Sequence, residues 1–148
     1  MSLFSSLFSS LFSSSTARPQ SSKKEILRLS GDNTYAMDIT GEENHQTALE
    51  DLGGPRLPEG VHQIETARLV IADNRTGSNR NAVRVEIRGQ LVGYLGLQDT
   101  IQYRHYLHAK GKSNAYGQCR ALIKGGWITP DGTQGPYYVA LDIPAFAT

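Results

Sequence analysis

Cysteine occurs once in this chain of 148 residues, at Cys119, so no intramolecular disulfide can form and a four-cysteine zinc site is excluded. The expected setting is reducing and cytoplasmic. Long hydrophobic runs are also missing: no apolar stretch approaches the roughly 18–20 residues that span a bilayer. The start of the chain has neither the positive charge nor the unbroken apolar core of a signal peptide. Nor does one sign of charge dominate, since the formal net charge is +1. Dividing the chain near residue 30 sharpens this. Arg18, Lys23, Lys24 and Arg28 oppose only Glu25, giving +3, and the remaining 11 basic and 13 acidic residues give −2. A folded part of that charge is not held to a phosphate backbone by its net field, so any nucleic-acid contact needs a local patch.

Catalytic constellations are equally sparse. Cys119 with His105 or His108 as base is conceivable, but Cys119 falls on the apolar phase of an alternating run, where a buried, inert thiol is expected. His105 and His108 have a helical spacing suited to a metal, with no third ligand placed to complete it. Glu42–Glu43 and Glu50–Asp51 are adjacent pairs, which point apart on any regular element and read as solvated surface. Gly53–Gly54 lacks the lysine and helix of a phosphate loop. The expectation is a non-enzymatic protein without cofactor or metal.

What is present begins with a tail. Residues 2–14 read SLFSSLFSSLFSS, and a four-residue repeat puts Leu3, Phe4, Leu7, Phe8, Leu11 and Phe12 on one side of a helical wheel. Three readings stay open: a serine-rich tail with little order, a segment for a protein partner or self-association, and a lipid contact. The missing basic face argues against a membrane. Thr16–Ser30 reads as linker, so the chain divides into a tail and linker at 1–30 and a folded domain at 31–148.

Within that domain, alternation at Tyr35, Met37 and Ile39 predicts a first strand. Asn44 is placed to cap a helix over Gln46–Leu52 that stops at Gly53–Gly54. Ile64–Ala72 predicts a strand with Ala67, Leu69 and Ile71 inward. Val83, Val85 and Ile87 alternate with Arg84, Glu86 and Arg88, and Arg88–Gly89–Gln90 turns the chain into a return strand carrying Val92–Gly93–Tyr94–Leu95. A helix follows over Leu97–Lys110, capped by Gly111. Cys119, Ala121 and Ile123, then Tyr137, Val139, Leu141 and Ile143, mark two final strands. The order β-α-β-β-β-α-β-β fits an α+β, mainly β chain folded as a small, partly open OB-like barrel with two helices.

Two basic and aromatic groups stand out. Tyr103, Arg104, His105, Tyr106, His108, Lys110 and Lys112 lie on and after the long helix, and Arg75, Arg80, Arg84 and Arg88 surround the central turn. Aromatic faces stack on bases while Arg and Lys hold phosphates. The competing expectation is half-buried tyrosines on the helix, and arginines neutralised by neighbours such as Glu86.

The segment Gly41-Glu42-x-x-x-Gln46, the turn Asn81–Ala82 with Val83 and Val85, and the strand Val92–Gly93–Tyr94–Leu95 together resemble the HIRAN domain. That module is found fused to helicase-like remodellers, and in other contexts in bacteria and phages. The likeness runs from Tyr35 to Ile143. It implies an OB-like barrel that, in remodeller members, grips the 3′ end of single-stranded DNA. The family's turn is N-P-Y-D-x-N-A. This chain has Thr76–Gly77–Ser78–Asn79–Arg80–Asn81–Ala82, so Ser78 replaces the stacking tyrosine and Asn79 the aspartate for the terminal hydroxyl. The nucleic-acid-binding residues expected here are Tyr94, Asn79, Arg80, Arg75 and His45, with single-stranded DNA as partner. The alternative is a structural or assembly protein tied to copies or partners through residues 2–14.

Overall fold

The computed structural model describes residues 24–72 and 81–144. The described residues are mainly β with two α-helices, and their sheet curls into a half-barrel. In chain order the elements are β1 (Ile26–Arg28), β2 (Met37–Asp38), a 3-10 turn (Glu42–Asn44), α1 (Gln46–Gly53), β3 (Val61–Ile71), β4 (Val83–Ile87), β5 (Gln90–Tyr94), α2 (Leu97–Ala109), β6 (Tyr116–Gly125) and β7 (Tyr137–Asp142). The strands lie in the order β2-β7-β6-β3-β4-β5, with β1 parallel to the start of β6. Thr40, just past β2, bridges Tyr94 at the end of β5: each N–H donates to the other's carbonyl at 2.8 Å. That single bridge ties the two ends of the curl.

The alternation read from the sequence is the inward face. Ala67, Leu69, Val83, Val85, Ile87, Ala121, Ile123, Tyr137, Val139 and Leu141 are fully buried. Each large aliphatic side chain taken from water in this way contributes about 1.5–3 kcal/mol. Leu49 and Leu52 of α1, and Tyr103 and Leu107 of α2, close the core from outside the sheet. The two-residue turn between β4 and β5 has φ of 49° at Arg88 and 78° at Gly89, the left-handed pair whose twist matches a tight hairpin. Gly93 is required by close approach. A Cβ there would stand 2.5 Å from the Thr40 carbonyl oxygen, at the bridge that ties the curl.

Three expectations are corrected. Ile26–Arg28 is a strand rather than linker, Leu29 beyond it is buried, and the domain therefore begins before residue 31. Three residues are too few for alternation to declare itself, and the pairing partner lies ninety residues away. Asn44 lies inside the 3-10 turn, and His45 takes the N-cap position of α1 without a side-chain cap bond. Tyr35 has a φ of 50°, so the first long strand shrinks to Met37–Asp38. Residues 2–14, with their repeat, lie outside the described residues.

Candidate nucleic-acid interface

Of the five residues expected to bind nucleic acid, Tyr94 and His45 are described, and Asn79, Arg80 and Arg75 lie outside the described residues. The stretch carrying those three leaves β3 at Ala72 and returns at Asn81. Ala72 N–H donates to the Ala82 carbonyl at 2.8 Å, which clamps its mouth. Asn81 has a φ of 71°, a conformation asparagine tolerates better than most residues.

Tyr94 is the register partner of Arg84 across β4 and β5, and Leu95 N–H donates to the Val83 carbonyl beside that mouth. The Tyr94 ring is half-buried and lies against Gly41, where a Cβ would sit 3.5 Å from its Cδ1. His45 ends the same Gly41–His45 turn, half-buried, with its N–H donated to the Glu42 carbonyl at 2.9 Å. The fold thus brings Tyr94, the turn bearing His45, Arg84 and the base of the 73–80 stretch to one end of the barrel. Arg84 pairs with Glu86 at 2.8 Å, and its Nε is buried without a partner among the described residues.

The same turn corrects the reading of Glu42 as solvated. Glu42 is buried, and its carboxylate accepts the Val139 N–H at 3.2 Å. Burial pushes its pKa above the ordinary carboxylate value. Four residues on, the Gln46 side chain accepts the Tyr137 N–H at 2.8 Å and donates to the Tyr137 carbonyl at 3.0 Å. The β2 strand pairs β7 only at Leu141 and Ala140, and Ile39 N–H donates to Val139. Beyond that point the side chains of Glu42 and Gln46 replace the missing strand. The G-E-x-x-x-Q segment therefore completes a sheet edge.

The other basic groups resolve differently. Tyr103 is fully buried against Gly117, with its phenol raised by that burial, so the residues of α2 do not form one basic, aromatic surface. Lys110 lies over the Tyr106 ring, and Lys112 pairs with Glu25. Arg88 pairs with Glu65, and the guanidinium draws that carboxylate below its usual pKa. Cys119 is buried and its thiol is pushed up to about 12, by desolvation first and by the charge of Asp142 second. Among the described residues, no three of His, Cys, Asp and Glu are grouped so as to hold a metal. No helix among the described residues is long and apolar enough to cross a membrane.

Sequence reasoning also overlooked a set of cations far apart in the chain. Arg28, Arg68 and Arg120 share the outer face of the sheet, and Lys24 lies over the Tyr116 ring beside them. Their only local signal was the polar phase of strand alternation. Comparison with known proteins returned no matching family model, no matching curated protein and no matching solved structure.

Proposed function

We propose that this protein is a small, non-enzymatic nucleic-acid-binding module of HIRAN-like design, directed at single-stranded DNA. The observation that carries the reading is the Tyr94 end of the barrel. A half-exposed aromatic ring there lies beside Arg84 and the clamped base of a stretch containing Arg75, Asn79 and Arg80. An aromatic face supplies stacking, worth about 1–3 kcal/mol per base, and the arginines supply phosphate contacts. Asn79, in place of an aspartate, offers a hydroxyl a neutral hydrogen bond without the charge-assisted strength of a carboxylate. Binding of single strands with weak preference for a free 3′ end fits that exchange.

Fluorescence anisotropy with single-stranded oligonucleotides, 3′ end free or blocked, tests the reading. Salt-dependent binding that falls roughly tenfold or more in Tyr94→Leu supports it. Absence of salt-dependent binding at micromolar protein would sink it.

One observation favours a second reading, an assembly role. Leu97 and Ile101, one turn apart on α2, are 75% and 53% exposed. An apolar pair of that exposure suits a protein partner. Sedimentation of the full chain against Ile101→Ser and against a chain lacking residues 2–14 separates the two readings. Unchanged mass in both variants counts against assembly.

A further inference from the structure

On the outer face of the sheet, Gln118 of β6 stands in register with Arg28 of β1 on one side and Arg68 of β3 on the other. Two strand spacings separate those arginines, roughly 10 Å between their Cα atoms. Arg120, two residues further along β6, points to the same face opposite Thr66. All three arginines are exposed. None is within ion-pair distance of a carboxylate among the described residues, whereas Arg84, Arg88, Lys112 and Lys124 each are. The Tyr116 ring adds to the group: the Arg68 guanidinium lies over it at 4.9 Å and the Lys24 ammonium at 5.2 Å.

The surface here is concave. A hollow of about 270 Å³ is lined by Arg28, Arg120, Thr66 and Gln118 among others. A second, of about 240 Å³, is lined by Arg68 and Arg88, and it shares Thr66 and Gln118 with the first. Each hollow also holds one carboxylate, and both are engaged. Asp142 Oδ1 accepts the N–H groups of Asn33 at 2.9 Å and Tyr35 at 3.5 Å. Glu86 is paired with Arg84. The folded chain therefore gathers three guanidiniums, none within ion-pair distance of a carboxylate among the described residues, around a polar floor with an amide and a hydroxyl, with the Asp142 charge held at one end by backbone N–H groups. Planar, forked donors at this spacing match oxyanions that recur along a chain. The same face continues through Val70 and Arg84 to Tyr94, by the pairs Val70↔Arg84 and Arg84↔Tyr94.

We propose that Arg28, Arg68 and Arg120 form a binding site for phosphoryl groups. The site rests on the nucleic-acid reading above for its source: it holds successive phosphates of a single strand whose end lies at Tyr94. Its chemistry is the phosphodiester backbone, so it contributes affinity and salt dependence without base preference.

The test uses the full chain, the double variant Arg28→Gln/Arg120→Gln, and two probes, a fluorescent oligothymidylate and inorganic pyrophosphate. Both side chains are exposed, and an unchanged thermal melt confirms that the variant folds. Oligothymidylate affinity is expected to drop roughly tenfold or more in 0.1 M salt, with the salt slope falling by about 1.4, since each lost contact to a single strand removes about 0.7. Pyrophosphate is expected to shift the Gln118 side-chain amide resonances in the parent chain and not in the variant. If the parent binds the oligonucleotide and the variant binds equally with the same slope, the phosphoryl site is overturned and the Tyr94 reading stands. If the parent ignores the oligonucleotide yet pyrophosphate moves Gln118, the phosphoryl site stands and the nucleic-acid reading falls. Silence with both probes overturns both.

Discussion

Glu42 carries a charge that this fold constrains closely. It is buried at the edge of β7, where ionisation costs more than in the unfolded chain, so its pKa is raised. The folded state then keeps the proton to higher pH than the unfolded state does. The stabilisation from that proton is fully present below the ordinary carboxylate pKa and is lost as pH rises through the raised value. Glu42→Gln keeps an oxygen to accept the Val139 N–H and removes the titration. The variant should gain stability relative to the parent as pH climbs from about 4 to about 7. Urea melts across that range check this; a difference that does not vary with pH would refute it. Glu42→Ala instead leaves the Val139 N–H buried without its acceptor and should cost about 1–3 kcal/mol at low pH, the deficit shrinking as pH rises because the parent loses its proton-linked stability. At Cys119, burial and the neighbouring Asp142 charge hold the thiol to about 12. A thiol probe at pH 8 should therefore leave the native protein unlabelled over minutes and react at once in denaturant.

At the scale of elements, the weak point is the closure of the curl, which rests on the Thr40–Tyr94 bridge and on the room that Gly93 leaves for it. Gly93→Ala sets a methyl group against the Thr40 carbonyl and Ile39, so strand β5 or the chain after β2 must shift. Overpacking of this kind typically costs about 1–3 kcal/mol. The expected outcome is a lower midpoint in thermal melts together with faster amide exchange at Thr40 and Tyr94. Unchanged exchange at those two amides would show that the bridge does not depend on Gly93. The helices were read from different kinds of signal. Gly111, with a φ of 68°, follows α2 where the sequence put its cap. The irregular apolar pattern of α2 comes from its two faces: Tyr103 and Leu107 turn inward, while Leu97 and Ile101 face solvent.

For the whole molecule, the position where the fold begins is testable. Leu29 N–H donates to the Gln118 carbonyl at 2.8 Å, Tyr116 N–H donates to the Glu25 carbonyl at 2.9 Å, and Leu29 is buried in the common core. A chain starting at Lys24 keeps all of these contacts and should melt with the full chain. One starting at Gly31 loses them and should be less stable by at least about 2 kcal/mol, from the Leu29 side chain alone. Equal melts for the two truncations would remove β1 from the fold. The balance of charge belongs to this scale as well. A folded part of net charge −2 looked unsuited to phosphate, yet Arg84, Arg88, Lys112 and Lys124 are paired with carboxylates while Arg28, Arg68 and Arg120 share one face without an ion pair among the described residues.

Taken alone, the sequence determined the inward residues of β3, β4, β6 and β7, the Arg88–Gly89 turn, both helices and the mainly β class. These were legible because alternation, turn chemistry and capping act over a few neighbouring residues. Of the expected site, Tyr94 and His45 do come to one end of the barrel, beside the base of the stretch that holds Arg75, Asn79 and Arg80. Tertiary structure alone decided that Glu42 and Gln46 finish the edge of β7, that β1 joins β6 in parallel, and that residues 28, 68 and 120 face outward together. Each of those outcomes depends on the register between strands far apart in the chain. Register is set by the packing of the whole barrel and leaves no periodic mark in any one segment.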